Sequence, residues 1–274
     1  MNNQFSKNII KLRKANKLTQ ENLASKLGVS FQAISKWETG QTYPDIELLP
    51  QIATIFHINI DSLLGYIPQK IKMTEYEKRY EADDYYWGIE PSQMCYEIMK
   101  IKPSIKPLRL LDIGCGEGKD AVFFAKNGYI VSAFDIADAG LDKAKKLAEM
   151  HNVNVNFFKA NVCDYRLDNE FDIIFSSGVL HYIPDELRKE FFENIKNHTS
   201  LNGLHSLNVF VKKPFILIPP DAEPTDTIWK SGELFSYYFD WYLHQSQEIV
   251  FDCNSSGIPH KHCMNVLLAE KVGF

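Results

Sequence analysis

No run of 18 apolar residues occurs in the 274-residue chain, so no membrane span is expected. The first residues are polar and helical in pattern, unlike a secretory signal. Cysteine is sparse: Cys95, Cys115, Cys163, Cys253 and Cys263 are scattered, and no C-x-x-C occurs. That spacing argues against a zinc site or a disulfide framework and for a reducing cytoplasm, so no metal is expected. Excess charge of one sign is also missing from the chain as a whole, but not from its parts. Residues 1–70 hold eight Lys/Arg against five Asp/Glu, a balance of +3, and the remainder holds 22 against 30, a balance of −8. A basic small module ahead of an acidic larger one points to an anionic partner for the first part only. With 45% hydrophobic residues, the chain has the material for a real core and the length for two domains.

The stretch around which the rest is organised runs from Arg109 to Asp120. An apolar run ending at Ile113 reads as a buried strand, three glycines spaced two apart read as a turn, and Ala121 to Ala125 reads as a helix. Strand, glycine turn and helix form the first half of a nucleotide-binding α/β unit. A dinucleotide fold asks for G-x-G-x-x-G, but here Lys119 stands where the last glycine belongs and the pattern is D-x-G-x-G-x-G. Tyr129 to Phe134 reads as the next strand and ends on Asp135, placed either to accept hydrogen bonds from ribose hydroxyls or to cap a helix.

The D-x-G-x-G-x-G pattern resembles the first motif of the class I S-adenosylmethionine (SAM) methyltransferases. The resemblance implies SAM as cofactor. Asp112 would then hold the methionine amino group, and the backbone of Gly114, Cys115, Gly116 and Gly118 would pass under methionine and ribose. Asp135, with Ile136 beside it, would take the ribose. Asn161 and Val162 would meet adenine after a third strand, Val155 to Lys159, with the Asn161 carbonyl oxygen accepting from the exocyclic amine; the plain alternative there is an Asx-turn. Ser177, after a fourth strand from Phe171 to Ser176, begins a loop passing beneath the reacting methyl. Tyr86 and Trp87, in the aromatic run just upstream of the fold, would close over the cofactor, clasp an arm to the core, or do both.

The remaining pattern continues the alternation. A fifth strand is expected from His205 to Val211, an irregular proline-containing insertion from Lys213 to Lys230 as a candidate lid, and a helix opening at Ser231 that includes Tyr237 to Phe239. The last two strands are Glu248 to Cys253 and Met264 to Glu270. Alternating strands and helices predict a parallel sheet, and a last strand after a short loop must run antiparallel. The fold expected is an α/β Rossmann-like seven-stranded SAM-methyltransferase sheet over residues 76–274, behind a linker at 67–75.

Residues 1–66 predict an all-α bundle. Thr19 reads as an N-cap, Gln20 to Leu27 as a helix ended by Gly28, and Ser30 to Glu38 as the next helix. Two short helices joined by a tight glycine turn make a helix-turn-helix. The string T-Q-E-N-L-A-S-K-L-G-V-S-F-Q-A-I-S-K-W-E-T-G-Q-T-Y-P resembles the phage-repressor (Xre/Cro-like) family. By position, the resemblance implies double-stranded DNA as partner, with Phe31, Gln32 and Lys36 facing base edges and Gln20, Ser30 and Ser35 near phosphates. Such modules usually bind as dimers, so a homodimer on a palindromic site is expected. Leu23, Ala24, Val29, Ile34 and Trp37 are expected in the core.

A DNA-binding module tempts one toward DNA methylation, but the motifs for it are missing. The [DNS]-P-P-[YFW] loop of DNA amino-methyltransferases is replaced by Ser176-Ser177-Gly178-Val179, and no Pro-Cys dipeptide of the cytosine-carbon enzymes occurs. Instead, residues 76–274 resemble the tellurite-resistance (TehB-type) methyltransferases through Y-Y-W-G-x-x-P-S at 85–92, L-D-I-G-C-G-x-G-K at 111–119, S-G-E-L-F-S-Y-Y-F-D-W at 231–241 and L-L-A-E-K at 267–271. The resemblance implies a small, soft acceptor of the chalcogen type. The family's loop before its last strand, G-E-L-H-R-T-D-x-x-G-N-R, is not matched, and its histidine and arginines are absent here. His260 and His262, two apart beyond the turn Asn254 to Pro259, are expected at the acceptor rim with His181 and Tyr182. The function expected is a cytoplasmic SAM-dependent methyltransferase of a small molecule fused to a sequence-specific DNA-binding domain. The alternative is a transcription regulator whose methyltransferase-like domain senses SAM or a metabolite without turnover.

Overall fold

The computed structural model describes residues 4–56, 58, 60–64, 75–217, 229–254 and 258–273. The chain divides into two compact units, Met1–Met73 and Thr74–Phe274. Residues 67–74 of the expected linker and residues 218–228 of the expected lid lie outside the described residues, and Glu75 opens a helix. Among the described residues no helix is long and apolar enough to cross a membrane.

The first unit holds α1 (Gln4–Ala15), α2 (Gln20–Leu27), α3 (Phe31–Glu38), α4 (Leu49–Ile55) and α5 (Ile60–Leu64). The Thr19 hydroxyl accepts from the Asn22 amide at the start of α2, and Gly28 ends it at φ 66°. Leu23, Ala24, Ile34 and Trp37 are buried, and Val29 packs half-buried against them. Arg13 grips Glu38 through Nε at 2.5 Å and Nη2 at 2.9 Å, tying α1 to the end of α3.

The second unit opens with α6 (Glu75–Tyr80) and α7 (Gln93–Ile101). It then alternates β1 (Arg109–Ile113), α8 (Lys119–Lys126), β2 (Ile130–Asp135), α9 (Asp138–Met150), β3 (Val155–Lys159), β4 (Phe171–Ser176), α10 (Asp185–Asn197) and β5 (Thr199–Phe210). It ends with α11 (Glu233–Ser236), β6 (Tyr242–Cys253) and β7 (His260–Glu270). The sheet order is β3-β2-β1-β4-β5-β7-β6. Pairing is parallel from β3 through β5, and β7 inserts antiparallel between β5 and β6. Apolar clusters cover both faces of the sheet.

Three sequence expectations need correction. The fifth strand begins at Thr199, not His205, because Asn202 takes φ 61° and the strand continues through an irregularity in its pairing with β4. The sixth strand is twice the expected length and the seventh four residues longer: β6 starts at Tyr242 and β7 at His260. The extra residues of β6 are mostly exposed on the sheet edge, so they carry no apolar alternation to read. The helix expected to open at Ser231 is one turn long, Glu233–Ser236, and Tyr237, Tyr238 and Phe239 lie beyond it.

The string at 231–241 is packing, not chemistry. Glu233 accepts from the buried Arg188 at 2.6 Å, and the Arg188 guanidinium lies 4.0 Å from the Trp229 ring centroid. Tyr238 and Trp241 enclose His205. The Thr199 hydroxyl donates its one proton to the Ile195 carbonyl at 2.6 Å, so it must accept from His205 Nε2 at 2.7 Å. Nδ1 of the neutral ring then accepts from the Tyr238 hydroxyl at 2.6 Å.

Candidate functional site

A cavity of about 790 Å³ opens at the carboxyl ends of the parallel strands, where open α/β sheets bind ligands. Asp112, on β1, is buried at its floor, and its Oδ2 has no hydrogen-bond partner among the described residues. Burial first, then the carboxylates of Asp120 and Asp135, push its pKa well above the ordinary range. A buried carboxylate oxygen without a partner is costly unless a cation or donor meets it.

Asp135, at the end of β2, accepts from the Gly116 amide at 2.8 Å and the Ala137 amide at 2.9 Å. Asp135 and Ile136 line the cavity, and the two carboxylate oxygens together offer about four acceptor sites, more than the backbone amides fill. Burial raises the Asp135 pKa, and the backbone amides of Ala137, Gly116 and Ile136 pull it back. Asn161 and Val162 line the cavity as well. The Asn161 carbonyl oxygen, however, accepts from the Cys163 amide at 2.9 Å. That is the Asx-turn; it takes one of the oxygen's two lone pairs and leaves the other, with the NH₂ group, for a ligand.

Gly114, Cys115 and Gly116 line the cavity. At Gly114 a Cβ would fall 2.2 Å from the Val179 side chain, so the backbone must pass bare. Gly118 is a correction: it does not line the cavity, and a Cβ on it would collide with Ala144 of α9 at 2.5 Å. It lets α8 pack closely on α9. Tyr86 is another: it lies off the cavity wall, edge-on to Trp87 with centroids 4.8 Å apart, whereas Trp87 lines the wall.

Sequence reasoning missed the rest of this arm. Tyr80, on α6, is buried against the loop so closely that a Cβ on Gly116 would meet its hydroxyl at 2.8 Å. Burial, then the Asp135 charge, raises its phenol well above the usual range. Glu117 is buried, pairs with Lys143 at 2.8 Å and accepts from the Trp87 amide at 3.3 Å. Asp120 accepts from the Ser92 amide at 2.7 Å. The arm therefore both clasps the core and supplies cavity wall. The spacing of Tyr76 and Tyr80 on one helix face was the available signal.

Ser177 lines the cavity and its hydroxyl accepts from Asn208 at 3.2 Å, while the Asn208 oxygen accepts from the Gly178 amide at 2.7 Å. Asn208, on β5, thus shapes the loop from a strand that carried no motif. At the far end His181 is buried between Tyr182 and Phe210, with ring centroids at 4.1 and 4.9 Å. Phe210 in turn meets His262 at 4.9 Å. His181, Tyr182 and His262 line the cavity, but His260 does not and stands behind His262.

Burial pushes the His181 imidazole down to about 3, with the field of His262 adding to it. His205 is held well below 6.5 by burial and then by Lys196 and Lys271. Unfolded histidine titrates near ~6.5. Below that pH the unfolded chain binds protons that the folded chain refuses, so both rings contribute stability above pH ~6.5 that is lost as pH falls, for His181 toward about 3. The raised pKa of Asp112 acts in the opposite sense, so the wild-type slope is a sum. Replacing His181 with Phe removes one titrating ring. Denaturant melts from pH 6.5 down to pH 5 should then show a slope shallower by up to about 1.4 kcal/mol per pH unit. Equal slopes would mean that His181 is protonated in the fold.

In the first unit, Phe31, Gln32 and Lys36 are exposed along α3. The exposed Ser30 caps α3 with its hydroxyl on the Ala33 amide, and Ser35 is half-buried. Gln20 is half-buried and donates to Glu38 at 2.7 Å, so its amide is turned inward.

The family model described as "Tellurite resistance protein TehB" matches residues 77–256, and one described as "Helix-turn-helix" matches residues 9–63. A relative named "Probable S-adenosyl-L-methionine-dependent methyltransferase TehB", from Haemophilus influenzae, is 24% identical over 137 residues, 50% of this chain and 47% of its own length. The ubiquinone biosynthesis O-methyltransferase of Rickettsia bellii is 28% identical over 134 residues, 47% of this chain and 55% of its own. The chain thus spans about half the length of the curated relatives it matches. The fold is similar to the crystal structure of TehB from Haemophilus influenzae, with a TM-score of 0.58 and 21% identity, covering 73% of this chain and 66% of that one. It is also similar to a Burkholderia thailandensis 1,6-didemethyltoxoflavin-N1-methyltransferase solved with S-adenosylhomocysteine, with a TM-score of 0.54 and 17% identity, covering 73% and 87%. With the glycine turn, the two acids and the seven-stranded order beneath it, this chain belongs to the tellurite resistance protein TehB family, its SAM-dependent methyltransferase domain fused to a helix-turn-helix domain.

Proposed function

We propose that the chain is a cytoplasmic SAM-dependent methyltransferase of a small, soft acceptor, carried together with a sequence-specific reader of double-stranded DNA. The observation that carries the first part is the cavity joining the buried Asp112 oxygen at one end to His181, Tyr182 and His262 at the other. The donor set fits SAM. Asp112 would take the ammonium group, Asp135 the ribose hydroxyls, and the Asn161 side chain the adenine edge. When bound, SAM supplies an electrophilic methyl group on a sulfonium.

The chain's own residues position and exclude water. Val179 packs on Gly114 and Trp87 closes the arm side, which leaves apolar wall around the transfer path. Among the described residues no carboxylate lines the far end of the cavity, where the rings of His181, Tyr182, Phe210 and His262 gather. Neutral His181 offers hydrogen bonding without a fixed charge. Such a wall suits an acceptor that is already nucleophilic, such as a thiolate or a chalcogen anion, and needs no strong base.

The test is release of S-adenosylhomocysteine from the full chain supplied with SAM and a panel of thiols and chalcogen oxyanions. Turnover with any of them supports the enzyme. Tight SAM binding with no turnover across the panel would leave a SAM-sensing regulator instead. For DNA, a binding selection on the full chain should return a palindromic site. Gln32→Ala should relax base preference, and Lys36→Ala should weaken binding by about 1 kcal/mol. Selection without sequence preference would sink the reader.

A further inference from the structure

We propose that Cys253, His260 and His262 form a three-ligand site for a borderline-soft divalent ion of the zinc type, with its fourth position facing the cavity. The hairpin register builds it. Cys253 ends β6, His260 begins β7, and the two are direct partners in the antiparallel pair. His262 lies two residues on and shares their face. One donor atom from each residue lies within 4.8 Å of the others. Metal bonds of about 2.0–2.3 Å hold tetrahedral donors roughly 3.5 Å apart, a change that side-chain rotation alone can make.

A second observation concerns the His260 ring. Its Nδ1 lies 2.7 Å from the Ile258 carbonyl oxygen, which can only accept. The neutral ring therefore carries its proton on Nδ1 and presents the Nε2 lone pair to the cluster. A backbone carbonyl on the far nitrogen is the usual support for a metal-binding histidine. That lone pair meets His262 Nε2 at 2.8 Å, so His262 is the donor in the apo pair. On binding, the His262 proton moves to Nδ1 and the Cys253 thiol proton leaves. One proton is released per ion.

The donor chemistry narrows the ion. One thiolate and two imidazoles select zinc-like ions over magnesium or calcium. The neighbouring Asp252 is paired with Lys261 at 2.6 Å. Cys253 and His262 both line the cavity wall, so water or an anionic ligand from the cavity would complete the tetrahedron.

The tag-free full chain, stripped with a chelator and confirmed as folded, is titrated with Co²⁺ alone. The expected result is one ion per chain, with visible bands of a tetrahedral site and a near-ultraviolet thiolate-to-cobalt band, all bleached by Zn²⁺. Cys253→Ser should remove the thiolate band. His260→Ala and His262→Ala should each weaken binding at least about tenfold. Absence of the thiolate band in the parent chain would overturn the site. So would unchanged Co²⁺ binding in all three variants, which would mark the ion as adventitious.

Discussion

Asp112→Asn is expected to weaken SAM binding by about 2–3 kcal/mol, roughly 30- to 150-fold, while leaving the ligand-free protein at least as stable. Both halves follow from one side chain. Asp112 is 2% exposed and its Oδ2 has no partner among the described residues. Burial and two neighbouring carboxylates hold its pKa well above the usual range. An acid so placed is a burden on the empty fold and an asset only when a cation arrives. Asparagine keeps the shape and removes the charge. The pH dependence gives a second check. With the folded pKa raised, the ionised form that attracts an ammonium is lost as pH falls through that raised value. Wild-type affinity should therefore fall toward acid pH more steeply than that of the variant. Calorimetry at two pH values measures both. An Asn variant that binds SAM normally would remove Asp112 from the cofactor site.

Gly118→Ala is expected to destabilise the second unit by about 2–5 kcal/mol. The backbone at Gly118 has φ 84°, a conformation costing an L-residue roughly 1–2 kcal/mol. The new Cβ would also lie 2.5 Å from the Ala144 Cβ and 2.9 Å from its Cα, and overpacking against a helix backbone costs about 1–3 kcal/mol more. Gly178 supplies the comparison: it has φ 74°, but a Cβ there would meet nothing within 4 Å, so Gly178→Ala should show the backbone part alone. Denaturant unfolding followed by tryptophan fluorescence distinguishes the two. Equal losses for both variants would show that α8 and α9 yield without penalty.

The sequence by itself determined what is local. The glycine turn, Asp112 before it and Asp135 on the next strand were legible because one strand–turn–helix–strand segment dictates their placement. The caps at Thr19 and Gly28 were legible for the same reason: each satisfies backbone groups within its own helix end. Whatever depends on elements far apart in the chain was decided only by the tertiary structure. Tyr80 reaches the glycine loop because α6 packs on α9, and Asn208 reaches Gly178 because β5 lies beside β4. That Gly118 faces Ala144 was decided there too, because α9 packs on α8. Cys253, His260 and His262 looked unrelated because cysteine spacing carries no sign of a partner on another strand. The pairing of β6 with β7 sets them on one face: sheet register, not sequence distance, fixes which side chains share a face.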